Sequence, residues 1–182
     1  YPLPDDRIAQ VPIEPRDSAR LLVDRGALSP VHRVVSDLPD ILRPGDLLFL
    51  NATKVIPARL RRRRSTGGAA EVLLLEPIDA QRRVWEALVR PGGKLANGEE
   101  LYAGDTALVR MGERTAAGDT FRVELLGDDD PLDALEVYGE MPLPPYIGTR
   151  LDDPDRYQTV FAQEPGSAAA PTAGLHFTPE LF

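Results

Sequence analysis

The chain has 182 residues, of which 42% are hydrophobic, so it is long enough for one large or two small domains with a core. Its 29 acidic residues against 21 basic ones give a net charge of -8, which argues against a general nucleic-acid binder. The sequence has no cysteine and only two distant histidines, His32 and His176, which excludes thiolate chemistry and argues against a metal site. We expect a cytoplasmic protein without a signal peptide, because no apolar run reaches the roughly 18 residues of a membrane span.

The first zone, residues 1–58, mixes turns with short apolar runs. In residues 45–50 a turn leads into continuous apolar residues, and this pattern predicts a strand buried on both faces of an α/β sheet. Asn51 and Thr53 follow at the strand end where ligands usually bind in such sheets. Two interpretations remain open: these side chains hydrogen-bond to their own turn, or they hold a polar substrate.

The second zone, residues 59–128, consists of short strands and turns. Six strands are predicted from apolar or alternating runs at residues 58–63, 71–75, 84–90, 100–102, 106–111 and 120–126. No helical pattern separates them, which favours a small antiparallel barrel or sandwich, and closure would remove exposed strand edges.

Basic residues are concentrated where this second zone begins. Arg59 and Arg61 belong to a run of arginines, and Lys54 lies just upstream. One interpretation is a patch that contacts phosphates, since arginine binds phosphate in bidentate geometry. The other is a solvated strand whose arginines pair with the surplus acidic residues.

The third zone, residues 129–182, begins with a predicted short helix. Asp130 and the following proline are typical of a helix start, and Gly139 lies where a terminating glycine is expected. The proline-rich residues 141–147 predict an extended connector. Tyr146 and Tyr157 flank an acidic turn, and either pack against the protein or stack on a nucleobase.

The last residues predict a helix start beside a site. Residues 171–177 are rich in small side chains and contain His176, and Thr178 and Pro179 then predict a capped helix. Because the sequence stops soon afterwards, we expect a chain truncated in the middle of a site. His176 is either a structural histidine or a general base next to a helix N-terminus.

Zones one and three resemble each other in their predicted elements, an apolar strand in one and loops with a helix in the other, and zone two, with its short strands, differs from both. The predicted fold is therefore an α/β domain with a mixed sheet, interrupted by an inserted all-β barrel of about six strands. The predicted boundaries are 1–58 and 129–182 for the α/β domain and 59–128 for the barrel.

Five blocks carry a family resemblance: residues 3–22, 37–60, 141–147, 156–160 and 170–177, the last ending in Pro-Thr-Ala-Gly-Leu-His-Phe. With them the chain resembles the S-adenosylmethionine:tRNA ribosyltransferase-isomerases of queuosine biosynthesis. The resemblance spans essentially the whole chain and is weakest in the barrel. The sequence departs from the family pattern at Ala52 and Lys54, where the family usually has a polar residue and an arginine.

The resemblance implies transfer and isomerisation of the ribosyl part of S-adenosylmethionine onto 7-aminomethyl-7-deazaguanine at the tRNA wobble position. The product would be epoxyqueuosine-tRNA, with release of adenine and methionine. It also implies no metal or prosthetic group and a family chain nearly twice this length. We therefore expect this chain to be inactive alone, and the protein to be monomeric and not membrane-bound.

Under this resemblance His176 is the catalytic candidate, to orient or deprotonate the substrate. The expected substrate contacts are Asn51, Thr53, Arg59, Tyr146, Tyr157, Gln158, Thr172 and Gly174. The expected tRNA contacts are Lys54, Arg59 and Arg61. The alternative is a non-catalytic RNA-binding or adaptor module built on the barrel.

Overall fold

The structure is a computed structural model that describes residues 2–92, 94–144, 146–149 and 153–182. The predicted acidic turn and proline connector fall partly outside these ranges, at Asp152 and Pro145. Within the described residues, no helix has the length and apolar character needed to cross a membrane.

The chain divides into two compact units. The flanking unit comprises Tyr1–Lys54, Leu143–Glu164 and Ala170–Phe182, and the barrel unit comprises Val55–Pro142 and Pro165–Ala169. The chain thus passes from the flanking unit into the barrel unit and back, and it contributes a second, short segment to the barrel unit at Pro165–Ala169.

The flanking unit begins with short 3-10 turns and a hairpin. Strands β1 (Arg20–Arg25) and β2 (Leu28–Val34) pair antiparallel, and Gly26 at their turn has a φ of 66°, a left-handed conformation that favours glycine. A four-residue helix α1 (Leu38–Ile41) and strand β3 (Thr53–Val55) follow.

The apolar run at residues 45–50 does not form the predicted buried strand. Residues 46–52 have no regular secondary structure, and the side chains of Leu47 and Phe49 are 77% and 86% exposed. That prediction is wrong. A continuous apolar run indicates a buried strand only where other strands pair with it, and no described strand pairs with residues 47–50.

Six strands of the barrel unit close into a ring in the order β4-β5-β6-β9-β8-β7, with β4 pairing to β7. Their bounds are β4 Arg59–Arg64, β5 Ala69–Pro77, β6 Val84–Arg90, β7 Glu100–Ala103, β8 Thr106–Arg114 and β9 Phe121–Leu125. All the neighbouring pairs in the ring are antiparallel. The predicted fold class, an α/β domain interrupted by a six-stranded β-barrel, is confirmed.

The barrel interior is a continuous apolar core. Strand β5 buries Ala70, Val72 and Leu74 at every second position, as the two-residue period of a strand requires. The single tryptophan, Trp85, is fully buried, and its indole Nε1 donates a hydrogen bond to the Arg82 carbonyl at 2.5 Å. Burial of each large side chain contributes about 1.5–3 kcal/mol to folding.

Helix α2 (Pro131–Tyr138) begins where the sequence predicts. The Asp130 carboxylate accepts a hydrogen bond from the Leu132 amide at 2.8 Å. Leu135 of this helix is fully buried in the barrel core. The barrel unit includes residues 55–58, 129–142 and 165–169, which the boundaries expected from the sequence placed with the α/β domain.

Lack of space explains the glycine at position 139, where helix α2 ends. Its φ of -86° is one that any residue can adopt, but an added Cβ would clash with the Pro57 carbonyl oxygen. Immediately beyond it, the Arg59 amide donates to the Glu140 carbonyl at 3.1 Å and the Glu140 amide donates to the Arg59 carbonyl at 2.8 Å. The first strand of the barrel and the end of α2 are thus joined by two backbone hydrogen bonds. The last strand, β10 (Glu164–Ser167), forms a two-stranded sheet with β3.

Candidate substrate cavity

A cavity of about 420 Å³ lies within the flanking unit. This volume is in the range of sites that bind small molecules. Its apolar lining consists of Ala9, Val11, Pro12, Ile13, Leu143, Ile147 and Leu175. Its polar lining consists of Gln10, Glu14, Arg16, Thr149, Asp153, Arg156, Tyr157, Thr172 and His176. The cavity thus combines an apolar wall with a limited set of groups able to orient a polar ligand.

Residues 171–177 form one wall of the cavity and supply Thr172 and His176. The segment turns back on itself: the Gly174 amide donates to the Pro171 carbonyl at 2.8 Å, and residues Gly174–His176 form a 3-10 helix. Just after it, the Thr178 hydroxyl accepts a hydrogen bond from the Leu181 amide at 3.2 Å. The sequence predicts such a hydroxyl contact for a capped helix, but residues 179–181 form a turn and no helix follows within the described residues.

Gly174 lies against aromatic packing and outside the cavity lining. An added Cβ there would lie 2.9 Å from Cζ of Phe161 and 3.0 Å from Cγ2 of Thr159. The Phe161 ring in turn meets the Phe177 ring edge-on, with centroids 6.0 Å apart. The small residue therefore lets the 171–177 segment pack closely, which holds Thr172 and His176 in place.

Tyr157 reaches the cavity from a second 3-10 helix, Pro154–Tyr157, whose start is capped by the Asp153 carboxylate. Burial, and to a lesser extent the nearby Tyr146 phenol, raises the pKa of Tyr157 above its ordinary value. The hydroxyl therefore stays protonated at neutral pH, where it both donates and accepts hydrogen bonds. Tyr146 is 57% exposed and does not line the cavity.

Gln10 was not singled out by the sequence analysis, yet it joins two sides of the cavity. Its amide nitrogen donates to the Tyr146 carbonyl at 3.0 Å, and its amide oxygen accepts from the Gly148 amide at 2.8 Å. Arg16 and Arg156 line the same cavity and were also missed. A signal existed, since all three lie in blocks that carry the family resemblance, although no motif gave them a role.

Asn51 and Thr53 do not line the cavity. The Asn51 side-chain oxygen accepts from the Thr53 amide at 2.9 Å and from the Thr53 hydroxyl at 2.6 Å. This geometry fits the interpretation in which both residues stabilise their own turn. Gln158 lies beside the cavity and contributes its backbone carbonyl, which accepts a hydrogen bond from Arg16.

In the barrel unit, the arginines considered for phosphate contact lie beside acidic residues. Arg61 forms ion pairs with Glu71 at 3.5 Å and Glu140 at 3.3 Å, and Arg59 lies 4.0 Å from Glu71. This arrangement fits the interpretation of a solvated strand whose arginines pair with acids. Lys54 is exposed in strand β3 of the flanking unit. Among the described residues, no group of three or more histidine, aspartate or glutamate side chains is arranged to hold a metal ion.

Comparison with known proteins gives a consistent match. The model of a family described as "Queuosine biosynthesis protein" matches residues 1–182. The S-adenosylmethionine:tRNA ribosyltransferase-isomerase of Symbiobacterium thermophilum is 52% identical over 186 residues, covering 100% of this chain and 53% of that protein. The protein of the same name from Moorella thermoacetica is 52% identical over 188 residues, covering 100% and 54%.

Among solved structures, an S-adenosylmethionine tRNA ribosyltransferase from Thermotoga maritima is 34% identical, covering 100% of this chain and 51% of that chain, with a TM-score of 0.38. The chain thus spans about half the length of the relatives that it matches.

Proposed function

The chain belongs to the queuosine biosynthesis protein family, and from this membership we propose that it forms part of an S-adenosylmethionine:tRNA ribosyltransferase-isomerase. Its substrates are S-adenosylmethionine and tRNA that carries 7-aminomethyl-7-deazaguanine at the wobble position. Its products are epoxyqueuosine-tRNA, adenine and methionine. The enzyme acts in the cytoplasm as a monomer, without a metal or prosthetic group. The observation that supports this most directly is that Tyr157, Thr172 and His176, all selected from the sequence, line one cavity.

The proposed reaction requires removal of a proton next to a positive charge. The sulfonium of S-adenosylmethionine makes the hydrogens on the adjacent 5′ carbon acidic, and a base takes one of them before ribosyl transfer. His176 is the proposed base, because an imidazole accepts a proton readily near neutral pH. The raised pKa of Tyr157 keeps its phenol protonated, which makes it a hydrogen-bond partner for nucleoside hydroxyls and leaves proton removal to His176.

Other groups of the cavity suit the same ligand. Asp153 is a lining residue, and its carboxylate, which accepts a hydrogen bond from the Asp155 amide, supplies a negative charge that complements a cationic sulfonium. The apolar residues Val11, Ile13 and Leu175 give the cavity apolar surface against which a nucleoside can pack. Thr172 supplies a hydroxyl on the wall that carries His176.

The first test is adenine release by the protein at the full length of its relatives, with S-adenosylmethionine and the modified tRNA. We expect adenine to appear only when that tRNA is present. Replacement of the base, His176→Ala, should lower turnover by about 10²–10⁴-fold, the usual contribution of general acid–base catalysis. The matched control is His32→Ala, which removes an exposed histidine from strand β2 and should leave turnover unchanged.

The possible failures have different meanings. A well-folded full-length protein that releases no adenine would favour the alternative, a non-catalytic RNA-binding or adaptor module. A fully active His176→Ala protein would remove His176 from the mechanism but leave the reaction in place. The 182-residue chain alone is expected to release no adenine.

The proposed tRNA contacts, Lys54, Arg59 and Arg61, have a separate readout. Charge reversal at Arg61 should raise KM for tRNA and weaken its salt dependence, because each lost phosphate contact reduces the number of released counterions. An unchanged KM and salt dependence would mean that Arg61 serves only its ion pairs with Glu71 and Glu140.

A further inference from the structure

Arg16 makes an unusual set of hydrogen bonds at the cavity wall. Its Nη1 donates to the Gln158 carbonyl at 2.7 Å and, at a longer 3.4 Å, to the Leu175 carbonyl. Its Nη2 donates to the Asp155 carbonyl at 2.9 Å. One side chain near the N-terminus of the chain therefore joins two segments that lie far away in the sequence.

These two segments carry the candidate catalytic side chains. Asp155 and Gln158 bracket Tyr157, at the end of the 3-10 helix Pro154–Tyr157, and Leu175 immediately precedes His176. Tyr157 and His176 both line the cavity. The guanidinium of Arg16 thus connects the two backbone segments that carry the Tyr157 phenol and the His176 imidazole.

The hydrogen bonds that Arg16 donates go to backbone carbonyl groups. Among the described residues, no carboxylate oxygen lies within ion-pair distance of its guanidinium. Hydrogen bonds from a charged donor are shorter and stronger than those between neutral groups. Lysine is a poor replacement, because its donors share one nitrogen and cannot spread across three carbonyls as a planar guanidinium does.

Arg156 connects the same two chain segments in the reverse direction, from residues 155–158 to residues 13–16. Its guanidinium donates to the Ile13 carbonyl at 3.2 Å and forms an ion pair with Glu14. Residues 13–16 and 155–158 are therefore linked in both directions, by Arg16 from one side and Arg156 from the other. Such a double link leaves little freedom for Tyr157 to move relative to residues 13–16.

We propose that Arg16 is a positioning residue, whose guanidinium fixes the distance between Tyr157 and His176 across the cavity. This inference rests on the proposed function of the cavity. Arg16 contacts the backbone beside both side chains, so its effect falls on the alignment of substrate and base. Misplacement by about 1 Å can cost about 100-fold in rate.

The barrel unit offers a matched control in Arg83. Its guanidinium also donates to three carbonyls, those of Gly127 at 2.7 Å, Asp128 at 3.4 Å and Asp129 at 2.8 Å. Arg83 is partly exposed, as Arg16 is. Arg16→Met and Arg83→Met therefore remove the same kind of contact, once beside the cavity and once in the barrel.

The experiment compares kcat, KM and amide hydrogen exchange of these variants in the full-length protein. We expect Arg16→Met to lower kcat about 100-fold with KM for S-adenosylmethionine within about threefold of the original value. Exchange should accelerate at the Gln158 and Phe177 amides, which bond to the Asp155 and Gly174 carbonyls. Arg83→Met should change neither kcat nor these two amides.

A milder variant covers the case in which Arg16→Met does not fold. Arg16→Lys keeps the charge and should fold, with kcat lowered about tenfold because one ammonium cannot serve three carbonyls. Wild-type kcat in either folded variant overturns the proposal, and so does a loss of kcat with unchanged exchange at both amides. If the full-length protein without substitutions releases no adenine, the proposed function fails. The exchange measurements then still decide whether Arg16 connects residues 155–158 to residues 174–177.

Discussion

The barrel unit and the flanking unit use their apolar residues in different ways. All buried members of the main hydrophobic cluster belong to the barrel unit, whereas the described part of the flanking unit buries only two apolar residues, Ala19 and Val35. Conversely, most of the large apolar side chains left exposed lie in the flanking unit, with Phe49 the most exposed. The barrel forms its apolar core mainly from its own strands and helix α2. The flanking unit contains the cavity, but its described part buries few apolar side chains. Stability and chemistry are therefore expected to be separable by mutation.

The largest expected effect is on the stability of the barrel. Leu74→Ala removes a fully buried side chain from strand β5 and should reduce the free energy of unfolding by about 2–5 kcal/mol. Trp85 fluorescence during denaturant unfolding measures this directly, because the tryptophan lies in the same core. The matched control is Leu88→Ala in strand β6, where the side chain is 40% exposed and the cost should be below about 1 kcal/mol. Equal costs at the two leucines would contradict a barrel that packs its core through alternate positions.

A smaller effect is expected from a charge contact in the barrel, and it depends on pH. The Arg64 guanidinium donates to the Glu99 carboxylate at 2.5 and 3.0 Å, and the Ala96 amide donates to the same carboxylate. The Arg64 hydrogen bond first, and the Ala96 amide second, lower the pKa of Glu99. A lowered pKa means that the carboxylate stabilises the fold above its unfolded pKa, and that this contribution is lost as pH falls through the folded pKa.

Glu99→Gln should therefore lower Tm at pH 7, by less than Leu74→Ala does. The difference from the original protein should shrink as the pH is lowered below the ordinary range of glutamate. Thermal unfolding at pH 7 and at successively more acidic values measures it. A difference that stays constant with pH would show that the effect comes from lost packing.

The smallest expected effect is in the flanking unit. Phe49→Ser removes a large apolar side chain that is 86% exposed, and it should change the free energy of unfolding of the chain by no more than about 0.5 kcal/mol. Denaturant unfolding followed by circular dichroism is the measurement. A cost as large as that of Leu74→Ala would show that residues 47–50 are buried in solution, and the contrast between the two units would fail.

The sequence predicted the barrel well, because its signals are local. Strand β9, Phe121–Leu125, alternates with a period of two, turns rich in glycine separate the strands, and pairs such as β5–β6 and β7–β8 join strands consecutive in the chain. The start of helix α2 at Asp130 was equally accessible, since a cap depends on residues two or three positions away.

The flanking unit was harder to predict, because its contacts join distant residues. A continuous apolar run such as residues 47–50 predicts burial, but it does not identify the segment of the protein that would pack against it. The role of Arg16 depends on carbonyls 139–159 residues away in the chain, and an arginine bonded to backbone leaves no pattern of partner side chains. His176 and Tyr157 were singled out from local patterns and Thr172 through the family resemblance, and the structure shows that all three line one cavity.

The two backbone hydrogen bonds between Arg59 and Glu140 have a consequence for how such a protein can change over generations. Because the Arg59 and Glu140 backbones are bonded to each other, the intervening residues 60–139 could be shortened, lengthened or exchanged for another module without altering the gap that must be bridged. A short hairpin turn would span the same two residues. Residues 60–139 are thus suited to vary as one unit during evolution, independently of the residues that line the cavity.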